Sequence, residues 1–260
     1  MKRFIRDMKH YARYMVYSAR CTLMDEVAGS FLGWGWLVLN PVMFMLVYAF
    51  VQIAVFGNAT EYLASFCFVG LTAWNFFNVV VNGSVRLIKR YGPIISKTYV
   101  PKFCFVFSSI LVAGFKMMVS IAMILFSMLL YRVPVTIRML WLVPYVLLLM
   151  LITFGLACIL LHYGVYFEDL ANIVTIVMRL MFFLSGVFYD LEGRLQGLLG
   201  LLLERLNPTA FVIVQLRRTL LYGQSTNVLW FCIWVVIGLI LSIVGIHLIY
   251  KHERTYVKSV

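Results

Sequence analysis

Residues 170–189 read LANIVTIVMRLMFFLSGVFY, and the one charge in that run, Arg179, decides how the chain is to be understood. A bilayer core takes roughly 20 apolar residues per helix, and this run supplies them. An arginine at that depth costs about 2.5–3.5 kcal/mol by insertion measurements, and it normally faces protein or a water-filled path. Lys116, within the run from Phe103 to Tyr131, is the only other basic residue placed as deep. A helix face that cannot look at lipid, in a chain otherwise compatible with lipid, points to something polar crossing the membrane.

Working outward, hydrophobic residues make up 63% of the 260 and charged residues 12%, whereas a soluble domain lies nearer half and a quarter. Residues 1–260 therefore read as a single transmembrane domain. The net charge of +12 raises nucleic acid as a partner, but the basic residues lie between the apolar runs, as the positive-inside bias predicts. That excludes one water-facing basic surface. Cys21, Cys67, Cys104, Cys158 and Cys232 form no C-x-x-C pair and no zinc spacing, so they read as small buried side chains. No metal site and no cofactor is expected in the chain.

Six runs are long enough to span: about 31–56, 62–84, 103–131, 139–162, 170–189 and 228–250. Before them, residues 1–30 read as a basic amphipathic helix lying in the cytoplasmic interface or, compatibly, as a solvated helix packed on a partner. Phe4, Ile5, Met8, Tyr11, Ala12, Met15, Val16 and Ala19 recur at helical spacing on its apolar face. The basic start runs into this amphipathic stretch rather than the compact apolar core of a signal peptide. Six Lys and Arg precede the first run, five lie in 85–102 (Arg86, Lys89, Arg90, Lys97, Lys102) and three in the tail 251–260 (Lys251, Arg254, Lys258). With six crossings between 31 and 250 these segments share a side, so both termini are expected to be cytoplasmic. The connection 190–227 holds apolar stretches too short to span, broken at Asn207-Pro208. A re-entrant helix pair accounts for them; two helices flat on the outer leaflet are the alternative.

Polar faces inside the spans supply candidate site residues. Asn75, Asn78 and Asn82 recur at i, i+3 and i+7, interleaved with Trp74, Phe76 and Phe77. Amides beside rings suit sugar hydroxyls and C–H faces, and they equally suit hydrogen bonds between helices. By the same spacing Arg179, Phe182, Gly186 and Tyr189 share a face. Enzyme signals are thin. Glu168 and Asp169 are adjacent and diverge on a helix, His162 is the nearest histidine, and no phosphate-cradling Gly-Lys-Ser/Thr loop occurs. A membrane-embedded enzyme on a lipid-linked substrate, using His162 with Glu168 or Asp169, is the competing class. A secondary transporter would want deep carboxylates, and the runs carry none.

Four stretches, in order and spacing, resemble the membrane subunit of ABC exporters for capsular polysaccharide, O-antigen or teichoic acid. They are Gly29-Ser-Phe-Leu-Gly-Trp-Gly-Trp with Leu39-Asn-Pro41, Ile94-Ile-Ser-Lys-Thr-Tyr-Val-Pro-Lys102, Arg179-Leu-Met-Phe-Phe-Leu-Ser-Gly-Val-Phe-Tyr189, and Leu206-Asn-Pro-Thr. The resemblance implies a multi-pass protein of the bacterial cytoplasmic membrane, a homodimer bound to two copies of a separate ATPase that uses ATP and Mg, and a lipid-linked polysaccharide as substrate. On that basis the path is expected to include Trp74, Asn75, Asn78, Asn82, Arg179, Phe182, Gly186 and Tyr189. ATPase docking is expected at Arg86, Lys89, Arg90, Lys97, Tyr99, Val100, Pro101, Glu168 and Asp169, with Tyr99, Val100 and Pro101 giving apolar contact. The connection Tyr166-Phe-Glu-Asp-Leu170 departs from the family's pattern, which sets a basic residue beside the acidic one.

Overall fold

The structure, a computed structural model, describes residues 2–56, 62–187, 189–191, 198–253 and 256, and among them the regular structure is helical throughout. In chain order the helices are α1 (Lys2–Val27), α2 (Trp36–Phe56), α3 (Leu63–Ser84), α4 (Leu87–Arg90), α5 (Gly92–Ile95), α6 (Phe103–Leu130), α7 (Leu142–Tyr166), α8 (Leu170–Leu184), α9 (Leu198–Leu206), α10 (Pro208–Leu220) and α11 (Val228–Lys251). Short 3-10 turns, Gly33–Gly35 and Ile137–Trp141, lead into α2 and α7. Five segments are long and apolar enough to cross a membrane: those built on α2, α3, α6, α7 and α11.

The run 170–189 gives a shorter helix than its composition predicts. α8 has 15 residues, about 22 Å at 1.5 Å per residue, against a core of about 30 Å. It stops because Gly186 takes φ 62°, the left-handed conformation that closes helices, while the Ser185 hydroxyl donates to the Met181 carbonyl at 2.6 Å. Gly186 and Tyr189 therefore leave the face that carries Arg179 and Phe182.

α3 is the central helix. Ser65 through Trp74 are all buried, as a helix apolar on every side should be, and α2, α6, α7, α8 and α10 pack around it. α7 and α11 form the most extensive helix pair. α2, by contrast, leaves Val38, Met43, Phe44, Leu46, Val47, Phe50 and Ile53 exposed. α1 packs along α6: Phe4 meets Phe103 at 4.9 Å between ring centroids, and the Ser108 hydroxyl donates to the Met15 carbonyl. Its packed face is narrower than the spacing predicts. Met15 and Ala19 are buried and Phe4, Met8 and Tyr11 lie against the core, but Ile5, Ala12 and Val16 face outward.

The break at Asn207-Pro208 is where α9 ends and α10 begins. Asn207 caps α10 by accepting from the Thr209 and Ala210 amides, and Pro208 takes the first turn, where its missing N–H costs nothing. Asn207 Nδ2 also donates to Ser185 Oγ at 2.9 Å, which ties the end of α8 to α10. α10 is buried along Thr209–Arg217 against α3 and α7. Of the tail 251–260, Arg254 and Lys258 lie outside the described residues, and so does Arg194.

Candidate functional site

α3 and α8 present their polar residues to one cavity. It measures about 280 Å³ and is lined by Trp74, Asn78 and Asn82 from α3 and Thr175, Arg179 and Phe182 from α8, among others. The spacing 74, 78, 82 is one helical row. Asn82 donates to Asn78 Oδ1 at 2.6 Å, and its own Oδ1 is buried with no hydrogen-bond partner among the described residues. Trp74 and Phe182 meet edge to face at 5.4 Å, and Tyr48 of α2 approaches Phe182 at 6.0 Å. Arg179 is exposed and makes no hydrogen bond or ion pair with any described residue. The site thus joins one uncommitted guanidinium, an amide pair, and three ring faces from three helices. Tyr48 was not singled out in the sequence, although Gln52 stands one turn further along the same run.

Two expectations about this face are corrected. Asn75 is not part of it: it is exposed on the α2 side of α3, in a second cavity with Val79. Asn75 lies close to Asn82 in angle but about 10 Å from it along α3, where α2 is the neighbour. Gly186 and Tyr189 lie beyond the end of α8, and Tyr189 packs instead with Leu191, Ala210 and Val214.

Below the cavity, Asn82 also lines a basic recess of about 550 Å³ with Arg86, Lys89, Arg90 and Glu168. Lys89 Nζ and Glu168 Oε1 are 2.6 Å apart, and this bond holds the Glu168 carboxyl below its ordinary range. The acidic residue of the 166–170 connection therefore finds its basic partner across space rather than next in sequence. Asp169 stands exposed at the start of α8, where an acid complements the helix dipole. Tyr91 separates α4 from α5, and Gly92-Pro93 opens α5, where a proline in the first turn costs no hydrogen bond.

The outward residues of this segment are Pro93, Ile94, Ser96, Lys97, Thr98 and Tyr99. Val100 and Pro101, expected to offer apolar contact to a partner, are instead buried in the core where the chain turns into α6. Ile94 takes their place on the surface. The Tyr99 hydroxyl donates to Glu253 at 2.5 Å and accepts from Arg3 at 2.9 Å. Burial, and then Glu253, push this phenol up to about 12, so it stays a donor at neutral pH. The start of α1, the 96–99 segment and the end of α11 thus meet at one polar cluster.

Among the described residues the buried arginine is Arg217 of α10, which stood in the sequence only as one charge of the 190–227 connection. Its guanidinium donates to the carbonyls of Phe66, Gly186, Val187 and Tyr189, with Gly186 at 2.7 Å and Val187 at 2.6 Å. It also lies 3.4 Å over the Phe66 ring. Gly70 makes the room, since a Cβ there would sit 2.4 Å from the Val187 oxygen and 2.6 Å from Arg217 Nη2. Such backbone-bonded arginine is structural. The enzyme pairing is not formed: His162 is hydrogen-bonded to Tyr256 at 2.7 Å, and Glu168 goes to Lys89.

Apolar helices of spanning length, together with the comparisons, support a membrane transport subunit. Two relatives from Klebsiella pneumoniae, each an O-antigen export system permease protein RfbA, are 25% identical over 223 residues, 85% of this chain and 85% of theirs. A permease of the same name from Myxococcus xanthus is 28% identical over 208 residues, 80% of each chain. The resemblance to ABC exporter permeases drawn from the four stretches is thereby shown. No family model matches the chain.

Proposed function

We propose that this chain is the transmembrane subunit of an ATP-driven exporter that moves a lipid-linked polysaccharide of the O-antigen kind from the cytoplasm across the bacterial inner membrane. The observation that carries this reading is similarity to export permeases along most of the chain, in a protein with no phosphate-cradling loop of its own. Such a subunit needs a separate ATPase, using ATP and Mg. Two copies of the chain and two of the ATPase form the assembly. The exposed Leu46, Phe50 and Ile53 of α2 support a contact between copies.

In this reading the chain, a single transmembrane domain, crosses the membrane six times with both termini cytoplasmic. α8 is the short fifth crossing, and α9 with α10 forms a re-entrant pair that completes the outer half. Burial of α10 against α3 and α7 supports that placement over helices lying flat. α1 lies along the cytoplasmic interface with Ile5 and Val16 toward lipid. The ATPase docks on Arg86, Lys89, Arg90, Ile94, Lys97 and Tyr99, with Glu168 and Asp169 beside them.

The path runs along the α3–α8 face. Arg179 offers a planar donor fork to a diphosphate or an acidic sugar, the Asn78 and Asn82 amides lie beside it for hydroxyls, and Trp74 and Phe182 give ring faces to C–H groups. The test is reconstitution of the chain with a P-loop ATPase encoded beside it. Glycolipid copurified with the complex is identified by mass spectrometry and followed across proteoliposomes. ATP-dependent movement of unchanged glycolipid is expected. Chemical conversion of the glycolipid without movement would favour the enzyme instead.

A further inference from the structure

The second cavity against α3 contains neither Arg179 nor the cytoplasmic basic residues. It measures about 380 Å³ and lies between the end of α1, α2, α3 and α6. Two charges face it, Glu26 on the last turn of α1 and Lys116 on α6, 2.5 Å apart and with side chains 44% and 34% exposed. Lys116 is the fourteenth of the 28 residues of α6, so about 20 Å of helix separates it from either end. The pair therefore lies near the middle of α6.

One contact leaves most of the bonding capacity of both groups open, because an ammonium carries three donors and a carboxylate about four acceptor positions. Among the described residues neither side chain has another polar partner. The amides of Asn40 and Asn75 are exposed in the same lining and are likewise without partners there. On the outward side the lining is apolar: Phe44 is 52% and Val79 54% exposed, continuous with the bare face of α2.

These features select among ligands by charge. A simple anion drawn to Lys116 would meet the Glu26 carboxylate at the same point, and a simple cation would meet the reverse. A zwitterion satisfies both. The acceptors of Glu26 call for a cation with N–H donors, and the apolar wall calls for a hydrocarbon tail. We propose that this cavity is a binding site for a zwitterionic glycerophospholipid with a primary ammonium. Its phosphate lies on Lys116, its ammonium on Glu26, its ester region on Asn40 and Asn75, and an acyl chain along Phe44 and Val79. The lipid would fasten the end of α1 to α6 and thereby set α1 at a fixed depth. This site is separate from the export path and does not depend on the transport reading.

The experiment uses the full-length chain, delipidated in detergent. It is offered phosphatidylethanolamine, phosphatidylglycerol, phosphatidylcholine or water-soluble glycerophosphoethanolamine, and retained ligand is counted by native mass spectrometry. Phosphatidylethanolamine is expected to be held about tenfold better than the other two lipids, and the soluble head group hardly at all. Lys116→Gln and Glu26→Gln should each remove that preference. Asn75→Trp fills the cavity and leaves both charges, so it serves even where removing one charge prevents folding; it too should abolish retention. Equal retention of the three lipids, equal retention of the soluble head group, or unchanged phosphatidylethanolamine binding in Asn75→Trp overturns the assignment.

Discussion

Replacing Arg217 by methionine removes five hydrogen bonds to four backbone carbonyls and the cation over the Phe66 ring. Hydrogen bonds to a charged group contribute roughly 1.5–3 kcal/mol each, but they share one guanidinium and do not add. Breaking a buried charged network typically costs about 3–5 kcal/mol. The carbonyls of Gly186, Val187 and Tyr189 lie outside any helix and would be left without this donor. For a chain of this size each kcal/mol moves the melting midpoint by about 2–4 °C, so Arg217→Met should melt about 10 °C lower. The assay is thermal unfolding of the purified chain in detergent. Arg179→Gln is the internal control: it removes a guanidinium with no partner among the described residues, and its cost should stay within about 0.5 kcal/mol. If Arg217→Met melts within about 2 °C of the parent, or Arg179→Gln falls as far, the division into a structural and a free arginine is wrong.

For export, Arg179→Lys should retain more transport than Arg179→Gln, with basal ATPase activity intact in both; equal transport in the two would mean that charge at this site is not read. Ile94→Ala should weaken ATPase copurification without lowering the melting midpoint, whereas Val100→Ala should cost about 1–2 kcal/mol of stability, because Val100 is only 3% exposed. The Lys89–Glu168 contact has a definite pH sign. The carboxyl is held below its ordinary range, so the contact is complete at neutral pH and is lost only as pH falls through that depressed value. A carboxyl titration by NMR that gave an ordinary or raised midpoint for Glu168 would refute it. For topology, a cysteine at Gln224 in a cysteine-free version should react with an impermeant thiol reagent from outside, while labelling only from inside would reverse the orientation. A cysteine at Gly193, which lies outside the described residues, should react in the same way.

Much of the scaffold was legible because it rests on near-neighbour physics. Four of the apolar runs, 31–56, 62–84, 103–131 and 228–250, lie within about three residues of the segments Gly33–Ala54, Leu63–Ser84, Phe103–Leu130 and Val228–Lys251. Proline and caps act on adjacent residues, so Tyr91-Gly92-Pro93 and Asn207-Pro208 marked breaks that the structure contains. The fifth run was read too long because its composition stays apolar to Tyr189, while one glycine conformation ends the helix earlier. Of the site, helical spacing gave Asn78 with Asn82 and Arg179 with Phe182 as two separate faces; that they belong to one path was implied only by the resemblance. The departure of Asn75 was not legible, because an exposed amide at the end of a row belongs to whichever neighbour lies closer.

By itself, then, the sequence determined that this is a membrane protein of spanning helices with a costly arginine, because hydropathy and periodicity are properties of short windows. Only the tertiary structure decided which arginine is held and which is free. Arg217 reaches the Phe66 carbonyl across 151 residues of sequence, and Lys116 meets Glu26 across a helix pair. A side chain's cost in an apolar setting depends on the donors and acceptors that the fold brings to it, and no local window contains those partners.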